Sequence, residues 1–316
     1  MYGKVFQELS RDIMKKPNFL IVGAAKCGTS SMAAYLGQHP DIYISPEKEC
    51  HYFSGFIYQE SDRRPWDFYL KSKWVPDYEH YLSRHFTGVR DEMIIGEAST
   101  EYLYYCDKTI PQIIEKLGKS TSILIMLRDP VQSSFSRYKH SVRRGWETKK
   151  YEDAIGMWES RKQQGYIWDF DYIGAFKYAD QVKAYMESFS NVKVVILEEF
   201  IRNREGTYRD ILAFLGVDTN FNASLDDEYN SSIITELPVW LRYIWSPRLR
   251  RLLCQMLPSS IYKSIEHYLQ RMVDDRSSHV PVMLPKTREN MRNIFRHDIG
   301  RLEALLGRKL TCWYSE

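Results

Sequence analysis

Residues 19–31 read FLIVGAAKCGTSS, an apolar run that enters a glycine-spaced turn and leaves it through small hydroxyl residues. A run so short and rich in β-branched side chains suits a strand covered on both faces, and the residues after Gly28 suit the first turn of a helix. Such a strand–turn–helix passage gathers backbone N–H groups at the positive end of a helix dipole, so the segment suits an anion. The nucleoside-triphosphate loop G-x-x-x-x-G-K-[ST] places its lysine directly after the second glycine. Here Thr29 takes that slot and Lys26 lies within the turn. The cation of a phosphate loop has been displaced, and its new task has to be found elsewhere in the chain.

Three further runs, MIIGEA (93–98), SILIML (122–127) and VKVVIL (192–197), are likewise mostly apolar, rich in β-branched residues and without alternation. With intervening helical patterns such as YADQVKAYMESF (178–189), they predict an α/β chain: a P-loop-like, three-layer fold with a central parallel sheet flanked by helices. Helices are expected at 30–38, 108–118, 131–144, 207–215, 239–255, 258–272 and 286–306, the last running from Pro285 to Gly307. No repeat or linker interrupts the pattern, so one domain is expected over residues 1–316. A hydrophobic fraction of 44% can supply its core.

Charge and cysteine usage narrow the functional classes. The 44 basic and 41 acidic side chains give a net charge of +3, too balanced for a general nucleic-acid binder. The five cysteines, Cys27, Cys50, Cys106, Cys254 and Cys312, are scattered, with no pattern of a disulfide framework or zinc site. No stretch is apolar enough to span a membrane, and a cytoplasmic protein is expected. The basic, amphipathic stretch WLRYIWSPRLRRLLCQML (240–257) leaves two readings open: peripheral contact with a membrane, or an apolar stripe packed on the sheet.

A second anion site is suggested in SILIMLRDPVQSSFSRYKH (122–140). A buried strand ends in Arg128, Asp129 and Pro130, and Ser136 follows on the next helix. Charges at the carboxyl end of a parallel strand face the crevice where ligands bind in open α/β sheets. Arginine offers a fixed fork of donors there, and the serine hydroxyl adds another.

With both segments in hand, the chain resembles the sulfotransferases that use 3′-phosphoadenosine 5′-phosphosulfate (PAPS). FLIVGAAKCGTSS is similar to their 5′-phosphosulfate loop, and LRDPVQSSFSRY, with Arg128 and Ser136 eight residues apart, to their 3′-phosphate motif. GQHPDIYISPEKECHYF (37–53), GEASTEYL (96–103), ILEEF and AFLGV (within 196–217), and RSSHVP (276–281) with the helix after it extend the likeness. It is closest to the heparan-sulfate-type and bacterial carbohydrate enzymes. The resemblance implies a donor-binding core over 17–217, an acceptor-side helical insertion over 218–275 and a donor-closing loop and helix over 276–313.

It also implies roles. Lys26 would reach the oxygen bridging phosphorus and sulfur as adenosine 3′,5′-bisphosphate (PAP) leaves. Cys27, Gly28, Thr29, Ser30 and Ser31 would hold the 5′-phosphate, and Arg128 with Ser136 the 3′-phosphate. Arg276 and Ser277 would complete that site, although Ser277 and Ser278 replace the family's glycine and arginine. An acceptor hydroxyl needs a general base. The resemblance points to Glu49, while His51 is an alternative on its chemistry alone, with a reference pKa near neutrality. No metal is expected to be required. The acceptor is left open among a carbohydrate, a lipid and a secondary metabolite, sulfated on a hydroxyl or, as second choice, an amine. Ala98 stands where heparan-sulfate enzymes often carry a lysine, which weakens the case for a polyanionic acceptor. Two other classes stay open: a Mg-dependent P-loop kinase or hydrolase with Asp129 as metal ligand, and a non-catalytic glycan- or membrane-binding module.

Overall fold

In a computed structural model, residues 15–59, 74–144, 146–225 and 281–314 are described. The expected helices at 239–255 and 258–272, the 240–257 stretch, Arg276 and Ser277 lie outside the described residues. Five strands, β1 (Phe19–Gly23), β2 (Ile42–Ile44), β3 (Ile94–Ala98), β4 (Ser122–Leu127) and β5 (Asn191–Ile196), form one sheet in the order β2-β3-β1-β4-β5. All neighbours are parallel. The expected α/β architecture is therefore present. Every residue of β1 and β3 is buried, which is why these runs carry no alternation. Strand β2 was not among the expected strands. Its three residues, IYI, sit beside a proline-bounded loop and are too short to give a periodic signal.

The helices are α1 (Thr29–Leu36), α2 (Tyr78–His85), α3 (Cys106–Leu117), α4 (Pro130–Arg143), α5 (Tyr178–Ser188), α6 (Arg204–Leu215) and α7 (Pro285–Leu306), joined by shorter turns. Their boundaries have local causes. Asp129 caps α4 by accepting a bond from the Val131 N–H at 2.9 Å, with Pro130 in the first helical position. Asn203 starts α6 earlier than expected by accepting from the Gly206 N–H at 3.1 Å. Helix α2 was hidden inside an aromatic stretch, where Asp77 caps it through the His80 N–H at 2.8 Å. Tyr78 and Tyr81 of that stretch pack on Tyr52, with centroids 5.3 and 4.6 Å away. Tyr81 is fully buried, so its ring belongs to the core.

Strand β1 occupies the middle of the sheet. The chain leaves it for β2 and β3 on one side and then for β4 and β5 on the other, which opens a crevice at the carboxyl ends of β1, β3 and β4. Gly23 makes the approach of these ends possible. A Cβ there would stand 2.6 Å from the Leu103 Cβ and 3.2 Å from the Thr100 carbonyl, in the segment after β3. Gly23→Ala must push that segment away, and overpacking of this kind costs about 1–3 kcal/mol. A fall of that size in urea-unfolding free energy is expected. An unchanged midpoint would show that the segment yields freely.

Candidate active site

The turn after β1 delivers Lys26, Cys27 and Gly28 to the crevice. Gly28 has φ 83° and ends the turn in the left-handed conformation. Beyond it, Thr29 and Ser30 occupy the first two positions of α1, where N–H groups have no partner within the helix. The Cys27 side chain does something else. It is fully buried, with Sγ 3.4 Å from Ser133 Oγ and 3.7 Å from Tyr178 Oη, and burial pushes its thiol up to about 11. Cys27 therefore offers the crevice only its backbone, and its side chain is a core group.

Lys26 itself has φ 66°. Among the described residues only two other non-glycine residues have positive φ, Glu49 at 62° and His51 at 59°. Each such residue costs on the order of 1 kcal/mol, and such strain persists where neighbours over-determine it, often at functional sites. The three residues expected to carry chemistry are thus the three that the fold holds in this conformation.

The loop bearing Glu49 and His51 is laid along the end of β3. The Ser45 N–H bonds the Gly96 carbonyl and the Glu49 N–H bonds the Ala98 carbonyl, both at 2.9 Å. The three acid–base residues of this loop then separate. Glu47 is clamped by Arg84, with Nε and Nη2 each 3.0 Å from a carboxylate oxygen. His51 is buried, and its Nδ1 lies 2.6 Å from Glu101 Oε1, which also accepts from Ser54 Oγ at 2.7 Å. Glu49 accepts from Thr100 Oγ1 at 3.1 Å and lies 3.8 Å from Lys48 Nζ. Burial alone would raise the Glu49 carboxyl, but the charges of Lys48, His51 and Arg137 and the Thr100 hydroxyl outweigh it and hold it below the usual value.

Opposite this carboxylate the field is positive. Burial, and after it the charges of Arg137, Arg143 and Lys48, press the Lys26 ammonium down to about 8, while Glu49 acts the other way. No hydrogen bond or ion pair engages the Lys26 ammonium, the Arg128 guanidinium or the Ser136 hydroxyl among the described residues. A half-buried ammonium with no ion pair of its own is costly, and an anion bound in the crevice would reduce that cost. Arg137 and His140 of α4 also bear on this field. Arg137 is buried, ion-paired with Asp169, and its guanidinium lies 5.2 Å from the Trp168 ring. It is not a solvated helix charge. His140, one turn beyond Ser136, is held neutral by burial and then by Arg137 and Lys26.

Two more residues were missed. Lys48 Nζ lies 2.9 Å from Thr29 Oγ1 and 2.7 Å from Ser30 Oγ, so a second lysine reaches the phosphate turn from the Glu49 loop. Glu101 fixes His51. Only adjacency to Glu49 and to the strand GEAST could have drawn attention to them. Asp129, considered as a metal ligand for a kinase, has a carboxyl oxygen occupied in capping α4, and its backbone N–H bonds Glu198 Oε1 at 2.9 Å. Glu49, His51 and Glu101 have potential ligand atoms within 4.8 Å of one another, but Lys48 and Arg137 act on the same carboxylate and disfavour a further cation. The crevice therefore combines an anion cradle, an unpaired ammonium and an ionised carboxylate.

Comparison with known proteins agrees with this chemistry. The profile of the Sulfotransferase family matches residues 17–221. A solved sulfotransferase from Alicyclobacillus acidocaldarius is 35% identical, with a TM-score of 0.71, covering 95% of this chain and 100% of that one. The membrane-associated sulfotransferase kil1 of Dictyostelium discoideum is 31% identical over 126 residues, 40% of this chain and 23% of that protein. Carbohydrate sulfotransferase 15 of Rattus norvegicus is 28% identical over 149 residues, 39% of this chain and 27% of that protein. The matches thus span about a quarter of the length of these two relatives. Among the described residues no helix is long and apolar enough to cross a membrane.

Beneath the Glu49 loop lies a buried acid with a measurable consequence. Glu97 of β3 is fully buried and accepts from Tyr102 Oη at 2.8 Å, Tyr81 Oη at 3.3 Å and Ser99 Oγ at 2.7 Å. Burial, opposed by the hydroxyls of Ser99 and Tyr102, raises it from 4.5 to about 7. Between those values the native protein keeps a proton that the unfolded chain has released. Stability therefore falls as pH rises through that window, by up to roughly 3 kcal/mol. Glu97→Gln is expected to flatten that fall when denaturant unfolding is compared at pH 5 and pH 8. Equal slopes in the two proteins would refute the assignment.

Proposed function

The chain belongs to the sulfotransferase family, and on that premise we propose that it moves a sulfuryl group from PAPS to a hydroxyl of a carbohydrate acceptor, Lys26 serving the leaving oxygen and Glu49 the acceptor proton. The observation that carries this reading is the pairing, across one crevice, of an unpartnered ammonium in the phosphate turn with a carboxylate held ionised on the facing loop. Donor recognition is assigned to the backbone of Cys27, Gly28, Thr29, Ser30 and Ser31 for the 5′-phosphate and to Arg128 and Ser136 for the 3′-phosphate. Arg276 and Ser277 remain part of the proposed site and lie outside the described residues.

PAPS supplies an electrophilic sulfur and a phosphate leaving group. The acceptor oxygen forms its bond to sulfur while the bond from sulfur to the bridging oxygen breaks. Glu49 takes the acceptor proton, and Lys26 donates to the oxygen on which charge develops. A base held below the usual carboxylate value is ionised throughout the neutral range, so it needs no preceding deprotonation. His51, fixed by Glu101, fits a supporting role beside Glu49 better than that of the primary base.

Glu49→Gln is expected to lower kcat by roughly 10²- to 10⁴-fold, measured as PAP release from PAPS with a glycan acceptor, with PAP binding retained. Normal turnover would remove Glu49 from the role. The free Lys26 ammonium loses its proton above about pH 8, so PAP affinity by calorimetry is expected to weaken as pH rises through that value and to hold to higher pH in Lys26→Arg. Failure of the wild-type protein to bind PAP at pH 7 would overturn the donor reading.

A further inference from the structure

Lys48 lies on the loop that carries Glu49, yet its ammonium reaches across the crevice to Thr29 Oγ1 at 2.9 Å and Ser30 Oγ at 2.7 Å. Those hydroxyls stand at the N-terminus of α1, beside the backbone N–H groups of the phosphate turn. When a hydroxyl oxygen accepts from an ammonium, its own proton is directed elsewhere and becomes a stronger donor. Lys48 thus turns two hydroxyls into donors aimed into an anion cradle.

The position is also electrostatically costly without an anion. Lys48 adds to the positive field that already bears on Lys26, together with Arg137 and Arg143. Its ammonium also lies 3.8 Å from the Glu49 carboxylate, so the lysine stands between the acid and the turn. A multiply charged anion in the turn would offset the repulsion between Lys48 and Lys26.

We propose that Lys48 is a donor-binding residue, whose ammonium recognises the anionic oxygens of the phosphosulfate group together with the Thr29 and Ser30 hydroxyls that it orients. The inference rests on the donor reading given above and extends it to a residue outside the phosphate turn. The side chain is part-exposed, at 27%, so its replacement leaves the core intact.

The test measures PAP binding by titration calorimetry for wild type, Lys48→Met, Lys48→Arg, Ser30→Ala and the double variant K48M/S30A, with circular dichroism to confirm folding. Lys48→Met is expected to raise the PAP dissociation constant by roughly 10- to 100-fold, the range for loss of hydrogen bonds to a charged group. Lys48→Arg should recover most of it. The double variant should lose less than the product of the two single losses, because the lysine and the hydroxyl act on the same oxygens. Turnover adds a readout that a structural role would not move. Without Lys48 the acid limb of kcat/KM should shift to higher pH, because a cation that favours ionised Glu49 has gone. If wild type binds PAP and a folded Lys48→Met or Lys48→Gln binds it equally well, the proposal is overturned while the donor reading stands. If wild type does not bind PAP, the donor reading falls and the proposal with it.

Discussion

One unbalanced charge organises this molecule. The fold carries the Lys26 ammonium into a turn where burial and three neighbouring cations oppose its protonation, and no acid among the described residues pairs with it. Proteins rarely retain such an arrangement unless a ligand completes it. Much of the surrounding construction can be understood as support for it. Gly23 lets the segment after β3 close on β1, the Glu49 loop is pinned by backbone bonds to β3, and Asp129 is occupied in capping α4. The positive φ angles at Lys26, Glu49 and His51 mark where the backbone bears the cost of this arrangement.

The sheet was legible because full burial erases alternation. Strands β1 and β4 begin and end where their apolar runs do, and β3 and β5 differ by a residue. The anion turn was legible for a similar local reason, since glycine spacing and small hydroxyls follow directly from the need for close backbone approach. The residues that escaped depend on tertiary neighbours. Lys48 looks like any loop lysine until α1 is placed beside it, and Arg137 looks like one member of a solvated basic run until Asp169 and Trp168 cover it. Cys27 lies in the turn, but its side chain is buried against Ser133 and Tyr178, neighbours that sequence adjacency does not reveal.

The same logic separates sulfuryl transfer from phosphoryl transfer on a shared architecture. A phosphoryl enzyme needs a metal and an acid free to hold it, because a terminal phosphate carries charge that must be neutralised. Here the acid after β4 is occupied as a helix cap and the crevice is already rich in fixed cations. In the proposed reaction the lysine within the turn would serve a bridging oxygen and the facing carboxylate an acceptor proton. Displacement of one lysine by three places, from the slot of Thr29 to Lys26, is intelligible once both partners are visible.

Glu198 gives the site a history as well as a geometry. One of its oxygens accepts from the Asp129 N–H in the loop after β4, and the other accepts from Trp313 Nε1 at 3.0 Å. The bond to Trp313 spans 115 residues of sequence. Contacts of such separation carry a large loop-closure cost, because a long stretch of chain must be ordered to make them. During synthesis β1, its turn and β4 emerge long before Trp313, yet the loop carrying Arg128 acquires its full bracing only when the C-terminal segment docks. A chain cut short before Trp313 would leave Glu198 without that partner and the Arg128 loop less firmly braced.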